Sequence, residues 1–141
     1  MTAATNVVSL DDARQRAEFE RCWPWLKGAL ERMAFKHNGQ IWPSHRKEHV
    51  WERIAEGKAF LWPGKECAIL TEFYVTPTGL KSHHTWLAGG KLEEIVAMTP
   101  TIEDYGKEHG AHRQTAMGRY GWVRVLNGYH AVAVRREKSL L

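Results

Sequence analysis

Three short stretches in the middle of the chain, joined by very tight turns, constrain the fold more than any other feature. They cover residues 58–62, 66–75 and 80–87, and the second is rich in β-branched and aromatic residues. A Pro-Gly pair at 63–64 and a Pro-Thr-Gly turn at 77–79 separate them. Connections this short join antiparallel neighbours, so the sequence predicts a three-stranded antiparallel meander.

Helical periodicity precedes the meander. Apolar residues recur every three or four positions from Phe19 to Met33, which predicts one face of a helix. Pro24 falls inside this stretch, so we expect a break before it and a fresh helix after it. Ser9 is the expected N-cap of the first helical segment.

A second helix is expected after a loop over residues 36–42. Ser44 is its predicted cap, and Gly57 stands where a left-handed C-terminal residue is favoured. The residues expected to face inward are Val50, Trp51 and Ile54.

The period changes from two to about 3.6 after the third strand. Apolar residues from Leu92 to Tyr105 predict a helix that ends near Gly110, and Pro100 must kink it or begin a second helix. The remaining chain predicts a strand at 112–117, a short helix at 122–126 and a last strand at 129–135.

This order of elements predicts an α/β fold, more fully an α+β mixed sheet with helices on both faces. N-terminal helices are followed by the antiparallel meander and then by strand, helix, strand, helix and strand. A chain of 141 residues fits a single domain over residues 1–141, with residues 1–9 expected to be disordered.

Composition favours a soluble cytoplasmic protein. Hydrophobic residues make up 43% of the chain, including seven Trp, which is enough for a packed core. The N-terminus lacks the pattern of a signal peptide, no stretch is long enough to span a membrane, and Cys22 and Cys67 are isolated, as expected for buried thiols. The net charge of +4 would help to attract an anionic ligand such as a nucleotide-like cofactor, and because the basic residues are scattered a solvated surface is preferred to a nucleic-acid face.

Four short segments give the chain a resemblance to a known family. They are Trp86-Leu87-Ala88-Gly89-Gly90, Leu92-Glu93-Glu94-Ile95, Gly118-Arg119-Tyr120-Gly121-Trp122 and Gly128-Tyr129. In order and spacing, residues 20–136 resemble GNAT-type N-acyltransferases, most closely a divergent branch found among bacteriophage and prophage proteins.

The resemblance implies an acyl-coenzyme A-dependent N-acyltransferase that acts on an amine. In this family the junction between the last meander strand and the next helix binds the pyrophosphate of acetyl-coenzyme A, through backbone N–H groups and the helix N-terminus. The positions that match are Leu87, Ala88, Gly89, Gly90 and Lys91, with Arg119 as a further anion-binding residue.

Two residues of the meander are candidates for catalysis. Strand alternation places Glu72 on the same face as Ala68, Leu70 and Tyr74, where it could take a proton from the amine. A Glu at the sheet rim, paired with a basic neighbour, is the structural alternative. His84 would lie beside Glu72 if the register brings the two strands together that way, and otherwise it is a surface histidine.

A non-catalytic protein of the same fold is the competing hypothesis. Active members of the family usually have a longer glycine loop and a Tyr on the short helix before the Gly-aromatic pair, whereas this sequence has Gly-Gly-Lys and no Tyr near residues 123–124. Such a protein would bind a protein partner or join an assembly, including a homo-oligomer. Trp42 and Trp62, both near turns, are expected to be partly exposed and could mark that surface.

The segment His45-Arg46-Lys47-Glu48-His49 matches the H-x-x-E-H signature of zinc hydrolases. Two histidines four residues apart on a helix could share a metal. A third ligand at a recognisable spacing is missing, so the exposed face of an amphipathic helix is the preferred interpretation, and no metal site is predicted.

Overall fold

The computed structural model describes residues 4–8, 10–117, 125–133 and 135–141, and the predicted meander lies at the centre of its main sheet. The elements in chain order are α1 (Asp12–Met33), β1 (Phe35–His37), β2 (Gln40–Trp42), α2 (Lys47–Ala55), β3 (Phe60–Pro63), β4 (Cys67–Val75), β5 (Lys81–Gly90), α3 (Leu92–Glu108) and β6 (Arg113–Ala116).

The main sheet has the strand order β3-β4-β5-β6. The pairs β3–β4 and β4–β5 are antiparallel, as the short turns predict, while β6 is parallel to β5. A parallel pair needs a crossover connection, and α3 supplies it. The predicted α/β fold with a mixed sheet is therefore confirmed.

Helices cover the two faces of the sheet, and strand alternation sorts the core between them. Ala68 and Leu70 pack with α1 and α2, while Cys67 and Ile69 pack with α3. Successive side chains of a strand point to opposite faces, so β4 serves both cores. All four of these residues are buried, which makes β4 the best-protected strand of the sheet.

Proline interrupts neither long helix. The predicted break before Pro24 is wrong, because α1 is continuous from Asp12 to Met33, and no second helix begins at Pro100 within α3. Proline costs a helix interior about 3 kcal/mol. Burial on both sides of each proline offsets this cost, since burying one large apolar side chain contributes about 1.5–3 kcal/mol. The buried residues are Phe19, Cys22, Leu26 and Leu30 in α1, and Ile95, Met98 and Ile102 in α3.

The segment predicted as a loop over residues 36–42 is instead a β-hairpin of β1 and β2. Its turn has Asn38 at φ 48° and Gly39 at φ 75°. Two consecutive positive φ angles are typical of the tight turn that matches strand twist, and Asn-Gly is the dipeptide that adopts it most readily. Trp42 on β2 is 43% exposed, as predicted, whereas Trp62 is only 2% exposed, contrary to the prediction.

The helix caps differ from the prediction. Asp11 caps α1 by accepting a hydrogen bond from the Arg14 backbone N–H at 2.9 Å, and Ser9 lies outside the described residues. Arg46, not Ser44, is the N-cap of α2, where the ring Nδ1 of His49 accepts the Arg46 N–H at 2.9 Å. The His49 ring therefore takes the place of the Glu or Gln side chain at the third helical position of a capping box.

The C-terminal part of the chain also departs from the prediction. Residues 125–133 and 135–141 form no strand, so the strand expected at 129–135 is absent from the described residues. The helix expected at 122–126 lies mostly outside them. Leu126 is nonetheless buried, and with Tyr129 it lines a small cavity beside α3.

Cys22 and Cys67 are both free and buried, as predicted. Among the residues described, no helix combines the length and the apolar character needed to span a lipid bilayer.

Gly89 provides the sharpest test of this packing. A Cβ atom at Gly89 would collide with the backbone carbonyl of Trp25, so α1 and β5 approach each other with no room for a side chain. We expect Gly89→Ala to lower the free energy of unfolding by about 1–3 kcal/mol, measured by urea denaturation. Gly28→Ala is the control, because its Cβ would make only an ordinary contact at 3.5 Å and a helical Gly→Ala change stabilises by up to ~1 kcal/mol. A Gly89→Ala protein as stable as wild type would contradict the packing.

Candidate functional site

A β-bulge at Trp86 organises the site. Leu70 pairs with Leu87 and Thr71 with Thr85, so Trp86 is an extra residue on β5. As a result Trp86 and Leu87 both pack against the core formed by α1 and α2, although they are adjacent in sequence. The bulge therefore reverses, for the second half of β5, the order in which side chains alternate between the two faces of the sheet.

The strand β6 stops pairing with β5 just before this bulge. The register joins Ser82–Thr85 to Arg113–Ala116, and the last contact is a hydrogen bond from the Met117 N–H to the Thr85 carbonyl at 3.3 Å. Beyond Thr85, β5 continues for five more residues, to Gly90, without β6 beside it. β6 ends at Ala116, so among the described residues the edge of β5 beyond Thr85 borders a cleft.

A groove of about 420 Å³ occupies that cleft. This volume is within the range of small-molecule sites, about 300–1,000 Å³. Its lining comes from α1, the second half of β5, the start of α3 and the residue after β6: Ala29, Arg32, Met33, Trp86, Ala88, Gly89, Gly90, Leu92, Ile95 and Met117.

The backbone of β5 presents polar groups to this groove. Lys91 donates its backbone N–H to the Glu66 carbonyl at 2.9 Å, so this amide is directed towards β4 and is already in use. The backbone N–H and C=O groups of successive residues point to opposite sides of a strand. Those of Ala88 therefore point away from β4, towards the edge of β5 where the pairing with β6 has ended. The guanidinium of Arg32 donates to the Ala88 carbonyl at 3.1 Å, consistent with that direction.

The five positions predicted to form the cofactor cradle are therefore part of a strand and its exit, not of a loop. Leu87 is 1% exposed, within the core of α1 and α2. Gly89 packs against α1, and a Cβ at Gly90 would collide with the Glu66 carbonyl, so both glycines are needed for internal packing. Ala88, Gly89 and Gly90 line the groove, and Lys91 is an exposed residue at the N-cap of α3.

The N-terminus of α3 opens beside the groove. Leu92 lines the groove, and Lys91 makes no side-chain hydrogen bond that caps the helix. Glu94 is directed elsewhere, since its carboxylate accepts the backbone N–H groups of Lys65 and Glu66 at 3.0 and 2.8 Å. Arg119, the other predicted anion-binding residue, lies outside the described residues.

The two candidate catalytic residues face each other across the β4–β5 pair, because Glu72 is the register partner of His84. Glu72 is only 3% exposed. One carboxylate oxygen accepts the Tyr74 hydroxyl, and the other accepts Arg53 Nη2 at 2.9 Å. Desolvation and the bond to Glu72 raise the pKa of Tyr74 to about 12, so its hydroxyl remains protonated.

His84 is held as a neutral imidazole. Its Nδ1 lies 2.8 Å from the Thr115 hydroxyl on β6, and Nε2 forms no hydrogen bond within the described part of the chain. Burial lowers the pKa of His84, although the charge of Glu72 partly opposes that shift. A neutral ring with one free nitrogen can accept a proton at physiological pH.

Glu72, Tyr74, Arg53 and His84 form a polar cluster, and Trp86 lies between this cluster and the groove. Its indole lines the groove, its ring centroid lies 4.7 Å from that of His45, and the Arg53 guanidinium carbon lies 5.9 Å from it. Trp86 therefore lies between the groove and Arg53, the residue that binds Glu72.

The neighbouring histidine is a core residue. His83 is fully buried, stacks on Phe73 at a centroid distance of 4.6 Å, and places Nδ1 2.8 Å from the side-chain oxygen of Gln114. Burial lowers the pKa of His83 to about 4. The adjacent histidines thus point to opposite faces, as alternation predicts.

Sequence reasoning missed several residues of this site. Arg32, Arg53 and Thr115 come from three elements that meet only in the folded protein, so spacing along the chain carries no signal for them. Tyr74 follows Glu72 by two residues and so lies on the same face of β4. The two-residue period of a strand could therefore have indicated that Tyr74 belongs to the site.

The H-x-x-E-H segment is used for structure. His45 precedes α2 and packs on Trp86, Glu48 binds the Arg16 guanidinium at 2.8 Å, and His49 accepts the Arg46 N–H. Across the ranges given above, no group of three or more His, Cys, Asp or Glu residues is arranged to hold a metal ion.

Neither a protein-family model nor a curated protein matches this sequence. Solved structures do. The tetramutant of the BH1408 protein from Bacillus halodurans superposes with a TM-score of 0.61 at 12% identity, covering 99% of this chain and 100% of that one.

Two further matches are named N-acetyltransferases. The aminoglycoside 6'-N-acetyltransferase AAC(6')-IG from Acinetobacter haemolyticus has a TM-score of 0.58 at 9% identity, covering 99% of each chain. A ribosomal-protein-alanine N-acetyltransferase from Brucella melitensis has a TM-score of 0.54 at 13% identity, covering 91% of this chain and 93% of that one. At such identities the likeness shows the fold, which is GNAT-like as the sequence predicts.

The buried state of His83 predicts a pH-dependent stability. The folded state holds this ring neutral down to pH 4, whereas the unfolded chain binds a proton near its ordinary pKa of 6.5. The unfolded state therefore gains the proton first, and the free energy of unfolding should fall by up to about 3 kcal/mol as the pH drops from 6.5 to 4.

Denaturant unfolding of His83→Asn across this range checks the assignment. The variant should be less stable at pH 7 but less sensitive to pH, while substitution of the exposed His130 by Gln should keep the wild-type profile. An unchanged slope in His83→Asn would show that other groups cause the pH dependence.

Proposed function

We propose that this protein is an N-acyltransferase that transfers an acyl group from acyl-coenzyme A to an amine. The observation that carries the proposal is the cleft beside the second half of β5, where the pairing with β6 ends at the Trp86 bulge. The Glu72–His84 pair lies on the preceding part of the same sheet, on the other side of Trp86. The fold, shared with named N-acetyltransferases, supports the same activity.

The groove fits an extended thioester ligand. Met33, Leu92, Ile95 and Met117 give it apolar sides for a pantetheine arm, and the outward polar groups of Ala88 offer that arm a hydrogen-bonding edge. The uncapped N-terminus of α3 supplies free N–H groups and partial positive charge for phosphates.

Basic side chains would strengthen that phosphate site. The Lys91 ammonium lies 3.4 Å from Glu66 on an exposed surface, where such a pair is weak and open to exchange for phosphate. A role for Arg119 remains a prediction from the resemblance.

We assign proton transfer to His84. The neutral amine nitrogen attacks the thioester carbon, and the amide bond forms as the nitrogen loses one proton and the carbon–sulfur bond breaks. His84 Nε2 accepts the proton released from nitrogen and returns it to the departing thiolate, which leaves as free coenzyme A. Glu72 has both oxygens engaged, so its part is to hold Tyr74 and Arg53 beside the acceptor.

A non-catalytic binding protein is the second candidate. Ile41 is 54% exposed and Trp42 43% exposed on the hairpin strand β2, and the Lys91 amide is already bonded within the protein. A protein of this kind would form a stable complex and would not bind acyl-coenzyme A.

Calorimetric titration with acetyl-coenzyme A separates the two candidates. The enzyme proposal expects binding that Arg32→Gln weakens by about tenfold, because a charged group at the groove edge is lost. Arg14→Gln, an exposed arginine at the other end of α1, is the matched control and should bind like wild type. Absence of heat and of any thermal shift with the wild-type protein would rule out the enzyme proposal.

The pH dependence of kcat tests the role of His84. Because burial lowers its pKa, the ring stays neutral down to a pH below 6.5, and kcat should fall only below that value. His84→Gln should lose this acid limb and lower kcat by about 10²–10⁴-fold. An unchanged acid limb in the variant would exclude His84 as the proton acceptor.

A further inference from the structure

Resting on the proposed function, we infer that Arg53 recognises the acceptor, and that the acceptor carries an anionic group close to its amine. Arg53 lies in the last turn of α2, beside the wall that separates the polar cluster from the groove.

The inference depends on whether the exposed charge of the polar cluster is positive or negative. Glu72 is almost fully buried and both of its oxygens already accept hydrogen bonds, so an incoming ammonium group cannot reach it. His84 is neutral, and so is the Tyr74 hydroxyl. The exposed charge of the cluster is the Arg53 guanidinium, whose side chain is 36% exposed.

Arg53 is also held in place for binding. One of its nitrogens, Nη2, is fixed by Glu72 at 2.9 Å, and its guanidinium lies against the indole of Trp86. Its remaining N–H donors form no hydrogen bond to the described residues. A planar cation, tethered at one end and free at the other, matches the geometry of a carboxylate or a phosphate.

The surroundings indicate how the acceptor lies. The Trp86 indole lies against the guanidinium, His45 packs on that indole and Tyr74 packs on His84, so the body of the acceptor can be apolar. An anionic group bound at Arg53 would be separated from the groove by the Trp86 indole. His84 lies on the same face of the sheet as Glu72, to which Arg53 is bound. An amine next to the anionic group would then reach both the thioester and the proton acceptor.

Initial-rate measurements with matched pairs of acceptors test this inference. One pair is an amino acid and its amide, L-phenylalanine and L-phenylalaninamide, and the other is O-phosphoethanolamine and ethanolamine, in which the phosphate is likewise close to the amine. We expect kcat/KM to favour the anionic member of at least one pair by about 10- to 100-fold. The pair that responds distinguishes a carboxylate from a phosphate.

Variants of Arg53 connect the preference to this side chain. Arg53→Gln should abolish the preference, while calorimetric affinity for acetyl-coenzyme A stays at the wild-type value. Arg53→Lys keeps the ion pair with buried Glu72 but loses the planar fork, so it should reduce the preference by about tenfold even if the Gln variant fails to fold. Lys58→Gln, an exposed residue just after α2, is the control and should keep the preference.

The outcomes are distinct. Equal kcat/KM for anionic and neutral members, no acetylation of either pair by protein that binds acetyl-coenzyme A, or wild-type preference in Arg53→Lys would overturn the inference and leave the proposed function standing. Failure of the wild-type protein to bind acetyl-coenzyme A would instead remove the proposed function.

Discussion

The site depends on one constraint, which is that the pairing between β5 and β6 ends at Thr85. Up to that residue the two strands form a parallel ladder, and beyond it no strand of the described residues pairs with the outward edge of β5. An exposed strand edge is unfavourable in most proteins, because unpaired N–H and C=O groups attract other strands. Here the Ala88 carbonyl accepts a hydrogen bond from Arg32, and the outward N–H of Ala88 faces a groove, where a ligand can satisfy it.

The depth of that groove is fixed by close packing on its other sides. Gly89 lets the backbone of α1 approach β5 directly, and Gly90 does the same for the turn at Glu66. Both glycines resemble a phosphate-binding motif in sequence, yet in the folded protein each one makes room for the chain itself. In the proposed function the phosphates are bound instead by the start of α3, by Lys91 and by Arg32, which lies on a different helix.

In the polar cluster, too, a buried residue holds an exposed one in position. Glu72 would be strongly unfavourable in the core if it were alone, and Arg53 and Tyr74 satisfy both of its oxygens. In return Glu72 fixes the position of Arg53 at the surface. The buried charge thus orients a neighbour instead of reacting itself.

Much of the architecture could be predicted from the sequence, because it depends on local signals. Pro-Gly and Pro-Thr-Gly turns determine the antiparallel meander, and alternation along β4 places Glu72 on the face of Tyr74. The pairing of Glu72 with His84 depends on the strand register, which the sequence leaves open and the structure provides. The features that sequence reasoning missed depend on tertiary contacts. Burial on both sides of Pro24 outweighs its helix-breaking tendency, the Trp86 bulge appears only in the pairing of β4 with β5, and Arg53 meets Glu72 from another element.

The central claim is that an acyl-coenzyme A ligand lies along the free edge of β5. Titration of ¹⁵N-labelled protein with acetyl-coenzyme A, followed by amide chemical shifts, tests it most directly. The account predicts large shifts for the amides of Ala88 and Leu92 and small ones for those of Leu61 and Trp62 on the far strand of the sheet. Shifts that spare Ala88 and Leu92, or that cluster on the β1–β2 hairpin, would contradict it.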